Sequence, residues 1–447
     1  MPAIAADSHT NLNNFDTADR GFLYRPDITY NWGHLSPFHS LSSEYNPSTP
    51  LPGCTVTFVQ SLTRHGSRYP KLENKYNTII QRIQSSVNNY GAGFEFIRNY
   101  KTNLPSETLN NLGRHQLVNA GMHFYRRYQS LAKNNQPFIR YDEADRVVES
   151  GEKWAYGFHL ASLADKTRIG PDKLPYPTVK LPSGKGLNNT LNNKGCPKRD
   201  QARPEAIVKG LLARHLTGVT NRVNQNLSGA NLSIKEVFEL MELCAMETMG
   251  TIATAGRLSQ ICTIFNRQEW QAFNRYHNEM KWYTYFYGNP LAPSLGVGWV
   301  NELIARLLQR PVRDSTSTNT TLTANPETFP LNRKLYADFT HATDFLQIYA
   351  ALGLLGSTHN PVPANRIVSN QRLAEFSISE VSPFAARMYV EKMTCSGHKE
   401  ELVRILVNNR VMWLPHCGAD GEGRCKLGAF VESLSFARSG GFWKKCF

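Results

Sequence analysis

The feature that most constrains this fold is an apolar, β-branched run, Thr55-Val56-Thr57-Phe58-Val59, leading into Arg64-His65-Gly66-Ser67-Arg68-Tyr69-Pro70. A continuous apolar run bounded by turn signals reads as a buried strand. A strand that ends in a glycine-bearing turn sets its last side chains at the carboxyl edge of the sheet, where open α/β folds bind ligands. Two arginines bracketing a histidine there suit phosphate, because guanidinium forks bind its oxygens bidentately and an imidazole can attack phosphorus. Arg-His-Gly alone decides little, since short basic turns are often solvated loops.

The 447 residues allow two domains, or one large domain with an insertion. No span of about twenty apolar residues occurs, so no membrane-crossing helix and no membrane partner are expected. The opening MPAIAADSHTNLNNF lacks a signal-peptide h-region and reads as the start of a mature protein with an added Met, or as a cytosolic chain. Eight cysteines without a CxxC pair speak against zinc or thioredoxin-like chemistry, and no metal or cofactor is expected. With the sequons at Asn188, Asn226, Asn231 and Asn319, they point to a secreted protein carrying N-linked glycans. Net charge is +14, yet the basic residues are scattered and no nucleic-acid module is present, so nucleic acid is not the expected partner. A small polyanion is.

Residues 1–50, rich in Asn, Ser, Pro and Asp, read as an irregular arm. Helical spacing follows at 78–87 and 106–128, and again after Lys153 to about 163. His115 and His123, eight residues apart on one helix, match no common metal motif and are read as structural or exposed. Residues 168–204 lack periodicity and read as an excursion pinned at Cys196, and helices dominate from 204 to 286. A loop is expected over 311–330, then a strand at 334–338 and helix over 345–355. Strands are expected at 387–390, 402–407 and 411–415, and a closing helix at 427–438.

The full heptapeptide RHGSRYP resembles the signature of the histidine acid phosphatases. The surrounding text is similar to their fungal and yeast phytase and acid phosphatase branch: Trp32-Gly33-His34-Leu35-Ser36-Pro37-Phe38, the 145–153 segment DRVVESGEK, and Gly288-Asn289-Pro290-Leu291 with the text up to Leu307. The resemblance runs from Trp32 to Gly441 and implies an α/β fold: a mixed central sheet flanked by helices on both faces, with a smaller, mainly α-helical inserted domain. The expected division gives 1–70, 110–170 and 288–447 to the α/β phosphatase domain. It gives 71–109 and 171–287 to a helical domain over the cleft. His65 is then the nucleophile, and Arg64, Arg68, Arg146 and His341 hold the phosphate. Lys71, Lys75, Lys281 and His34 are expected to touch substrate, and no metal is needed. The family pattern also pairs Cys54 with Cys395, Cys196 with Cys446, Cys244 with Cys262 and Cys417 with Cys425, out of 105 arrangements open to sequence alone.

One position departs from the pattern. The family carries His-Asp where this chain has His341-Ala342, and that aspartate protonates the leaving oxygen. Ala342 cannot donate a proton, and general acid help contributes about 10²–10⁴-fold. The expected function is a secreted phosphomonoesterase acting on phytate through a phosphohistidine, strongly impaired in this form, whether the alanine is introduced or natural. A broad-specificity acid phosphatase and a non-catalytic phosphate-ester-binding relative are the alternatives. Asp344 lies roughly 200° around the helix from Ala342, and Asp338 reads as structural.

Overall fold

The computed structural model describes residues 12–41, 51–71, 74–168, 172–184, 186–356 and 376–447. The strands of its main sheet are β1 (Cys54–Arg64), β2 (Phe138–Asp142), β3 (Thr178–Leu181), β4 (Leu335–Thr340), β5 (Arg387–Cys395), β6 (Leu402–Val407), β7 (Arg410–Val411) and β8 (Cys425–Lys426). They are ordered β7-β6-β5-β1-β4-β2-β3, with β8 beside β6. The β1, β4, β2 and β3 neighbours run parallel, and β5 joins β1 and β6 antiparallel. The sheet is therefore mixed, and its parallel half shares one carboxyl edge.

Period-two alternation sorts the side chains onto two faces. Phe58, Leu62, Phe138 and Tyr336 share a core with Val300, Leu303 and Leu307 of α7 (Val297–Leu308) and Phe345, Leu346 and Tyr349 of α8 (Ala342–Ala351). Val59, Ile139 and Phe339 face the other way, onto α2 (Asn111–Arg127) and α3 (Asp145–Ala164). Both faces are covered from Phe58 to Arg64, while residues 54–57 at the start of β1 stay partly exposed.

A second core gathers α1 (Asn74–Ser86), α5 (Ile234–Ala255), the first turns of α6 (Arg267–Tyr285) and the later turns of α4 (Glu205–Asn226). Ser233 and Asn266 open α5 and α6 with capping boxes to Glu236 and Glu269, which fixes where both helices start. Leu12, Phe22, Ile28, Trp32 and Leu35 of the N-terminal arm pack into this core, so the arm is anchored by its apolar residues. His115 is buried with Nε2 against the Asp16 carbonyl, and His123 meets Asp19. The four disulfides join Cys54 to Cys395, Cys196 to Cys446, Cys244 to Cys262 and Cys417 to Cys425, the pairing the resemblance implied.

Several boundaries differ from the sequence reading. β1 runs on to Arg64, and the stretch read as an aperiodic excursion supplies β3, an edge strand of four residues. So short a strand, exposed on its outer side, carries too little pattern to be seen. The helix expected from 106 starts at Asn111, because residues 108–110 pair with the loop after β1: Tyr69 N donates to Thr108 O and Asn110 N to Ser67 O. The strand expected at 411–415 keeps only Arg410–Val411 in the ladder, and residues 415–417 turn in a 3-10 helix. The closing helix is divided into 427–433 and 435–438.

Candidate active site at the carboxyl edge of the sheet

Strand register assembles the site. Arg64 on β1 lies opposite Thr340 on β4, so His65 and His341 each come one residue later at the same edge. His65 N donates to Thr340 O at 3.1 Å, and the two imidazole centroids are 5.7 Å apart. β2 enters beside β4 with Tyr141 opposite Phe339, which sets Asp142 next to His341.

The loop after His65 is held by α2 and α3. Ser67 N donates to Gln116 Oε1 at 3.0 Å, and Asn110, the N-cap of α2, donates from Nδ2 to Ser67 Oγ at 2.9 Å. Gly66 N donates to Ser150 Oγ, whose own hydrogen goes to the Arg146 carbonyl at 2.6 Å, so one hydroxyl ties the loop to the first turns of α3. The helix approaches closely enough that a Cβ on Gly113 would lie 1.9 Å from Ser67 O.

His65 is buried, and Nδ1 lies 2.9 Å from Gly66 O. A carbonyl only accepts, so the proton sits on Nδ1 and Nε2 keeps its lone pair. Burial, then the charges of Arg64, His341 and Arg68, hold the ring well below the usual imidazole range. Neutral His65 with a free Nε2 is in the form a nucleophile requires.

Arg64 is buried, with Nη1 donating to His34 O at 2.6 Å and Ser382 O at 2.8 Å and its guanidinium stacked 4.3 Å over Phe384. Arg68 Nη1 donates to Tyr69 O at 2.7 Å. The Nε groups of Arg64, Arg68 and Arg146 are all buried without an acceptor, and none of the three makes a salt bridge among the described residues. Burial, then repulsion from Arg68 and Arg146, depresses Arg64, and burial followed by Arg146 does the same to Arg68. Unpaired cations crowded out of water cost several kcal/mol unless an anion joins them. Such an arrangement has the chemistry to hold an anion.

The other expected contacts divide. Lys281 is buried and lies near Arg64 and Arg68. Burial, then Arg64, pushes its ammonium down to about 7, with Glu242 opposing. His34 lies close to Lys281, Arg64 and Arg68, its Nδ1 3.3 Å from His277 Nδ1. Lys75 is paired with Glu242 at 2.7 Å and Glu239 at 3.9 Å, and the exposed Lys71 pairs with Glu107 at 3.3 Å. Ala342 is buried at the start of α8. Asp344 accepts from Asn193 N at 2.8 Å, and Asp338 is bound by Arg140, Trp299 and Arg306 in the sheet core.

Sequence reading passed over Asp142, whose Oδ2 lies 2.7 Å from His341 Nε2, and His277, which backs His34. Asp142 had a usable signal, since it ends the run Phe138-Ile139-Arg140-Tyr141 as His65 follows β1. His277 had none, because it lies mid-helix among aromatics.

Two comparisons with known proteins give the same family, and a third gives the fold. The histidine phosphatase superfamily (branch 2) profile matches residues 55–408. Phytase A of Aspergillus fumigatus is 40% identical over 447 residues, covering 99% of this chain and 96% of that protein. Phytase A of Emericella nidulans is 42% identical, covering 97% and 93%. Among solved structures, the phytase from D. castellii superposes with TM-score 0.74 at 21% identity, over 94% of this chain and 87% of that one. The Bifidobacterium longum multiple inositol polyphosphate phosphatase in complex with inositol hexasulfate gives 0.60 at 16%, over 92% and 98%. At these identities the two structures speak for the fold.

Proposed function

The chain belongs to the histidine phosphatase superfamily (branch 2), and on that premise we propose that it is a phosphomonoesterase that hydrolyses phytate through a phosphohistidine. The observation that carries this reading is the neutral His65, its Nε2 lone pair free, beside three arginines without carboxylate partners. Nε2 attacks phosphorus in line, while Arg64, Arg68 and Arg146 take up the charge of the equatorial oxygens with His341 beside them, and water then cleaves the phosphohistidine. Buried Lys281 and half-buried His34 face a second phosphate of the same substrate. The names of the curated relatives support phytate as that substrate.

Ala342 stands at the position of the family's proton donor and slows departure of poor leaving groups. Converting Ala342→Asp is expected to raise phytate turnover by about 10²-fold or more, with much less gain on 4-nitrophenyl phosphate, whose leaving group needs little protonation. No gain on phytate, with binding unchanged, would leave a non-catalytic phosphate-ester-binding protein. The pairing of Lys75 with Glu242 and Glu239 favours a second reading, a broad-specificity acid phosphatase, because it removes one cation from the rim. A kcat/KM for phytate no higher than for 4-nitrophenyl phosphate in the Ala342→Asp protein would select it. Four disulfides and the sequons at Asn188, Asn226, Asn231 and Asn319 support a secreted glycoprotein.

A further inference from the structure

The carboxylate most closely engaged with the cluster is Asp142, at the end of β2 and fully buried. Its Oδ2 accepts from His341 Nε2 at 2.7 Å and from Ala144 N at 3.3 Å. Oδ1 accepts from Asn189 Nδ2 and Asn192 Nδ2, each at 3.1 Å, and from the Ser183 hydroxyl. Burial works to raise this carboxyl, but the hydrogen bonds from His341 and Ser183 outweigh it and draw the pKa down to about 2. An ionised carboxylate only accepts, so the shared hydrogen belongs to His341 Nε2, and Nδ1 is the ring atom left for other work. His341 follows β4 at the same sheet edge as His65, their ring centroids 5.7 Å apart. Among the described residues no other carboxylate is hydrogen-bonded to either histidine, and Asp344 is turned to Asn193 N and the Thr343 hydroxyl.

We propose that Asp142 is a positioning residue for proton delivery: it holds His341 through Nε2–H and balances the charged ring, and His341 donates its Nδ1 proton to the departing ester oxygen. The proposal rests on the phosphohistidine reading above and names what general-acid capacity remains beside Ala342. As the His65 Nε2–P bond forms and the P–O bond to the alcohol breaks, the Nδ1 proton passes to the leaving oxygen and the alcohol departs neutral. Neutral His341 then takes a proton from the water that attacks the phosphohistidine. The P–N bond breaks, inorganic phosphate leaves, and His341 is charged again. Asp142 stays ionised throughout, the part an aspartate plays behind a catalytic histidine.

The test is Asp142→Asn, assayed with 2-glycerophosphate and with 4-nitrophenyl phosphate. The expected result is a loss of about 10²-fold in kcat on the alkyl ester, less than about fivefold on the aryl ester, and little change in either KM. Equal losses on both esters, or none on the alkyl ester, would overturn the assignment. So would a loss selective for the alkyl ester in Asp344→Asn. Should Asp142→Asn not fold, a crystal structure of the unmodified protein with myo-inositol hexasulfate decides. His341 Nδ1 is expected within hydrogen-bond reach of the bridging ester oxygen of the sulfate at His65, and a carboxyl group there instead would contradict the proposal. If the unmodified protein turns over neither ester, the phosphatase reading fails and this proposal with it. If the aryl ester is turned over without the selective loss, this proposal alone fails.

Discussion

Lys281 is the residue whose charge answers most directly to the anion site. Its ammonium, buried beside Arg64 and Arg68, has a folded-state pKa near 7, well below the value of about 10.4 in an unfolded chain. Between those values the unfolded chain holds a proton that the native protein lacks, so this group adds stability as pH rises through that window. An anion bound next to Lys281 reverses the balance and draws the proton back. Affinity for myo-inositol hexasulfate, whose own charge is constant there, should therefore weaken above pH 7, by up to about tenfold per unit. Burial, then neighbouring cations, hold His34 and His65 well below their ordinary range, so neither carries a proton in the free protein over this window. Titration calorimetry of Lys281→Met should give a flatter profile and weaker binding at pH 6. An unchanged slope would remove Lys281 from the site.

At the scale of elements, the loop after β1 is shaped by how near α2 comes. A Cβ on Gly113 would lie 1.9 Å from Ser67 O and 2.7 Å from Ser67 N, against backbone that cannot step aside alone. Gly113→Ala should cost about 2 kcal/mol or more and weaken phosphate binding, since the loop carries His65 and Arg68. In α4, a Cβ on Gly210 would meet nothing within 4 Å, and Gly210→Ala should stabilise by up to about 1 kcal/mol through helix propensity alone. Thermal melts of the two variants separate close approach from propensity, and equal shifts would contradict this account. The same contrast explains what sequence could reveal. Long amphipathic helices such as α5 and strands buried on both faces such as β1 carry their own pattern. Four-residue β3 and the extended residues 108–110 owe their form to partners far away in sequence, which local periodicity does not record. Asp142 ends an apolar run much as His65 follows β1, and the register of β2 against β4 then sets it beside His341.

For the whole molecule, the sheet with its two helical layers builds the edge, the last turns of α6 packed on that core carry Lys281, and the second core holds the arm bearing His34. The Arg/His cluster was legible because its motifs lie at element ends, and parallel register delivers those ends to one place. Which lysines remain free was not legible, since Glu242 and Glu239 reach Lys75 from α5, remote in sequence. The central claim is that Arg64, His65, Arg68, Arg146 and His341 surround a single tetrahedral anion. The most direct measurement is a crystal structure with inorganic phosphate bound. The account predicts one phosphate with phosphorus about 3–3.5 Å from His65 Nε2 and oxygens about 2.7–2.9 Å from nitrogens of all three arginines. A phosphate seated elsewhere, or guanidinium groups directed into separate cavities, would contradict it.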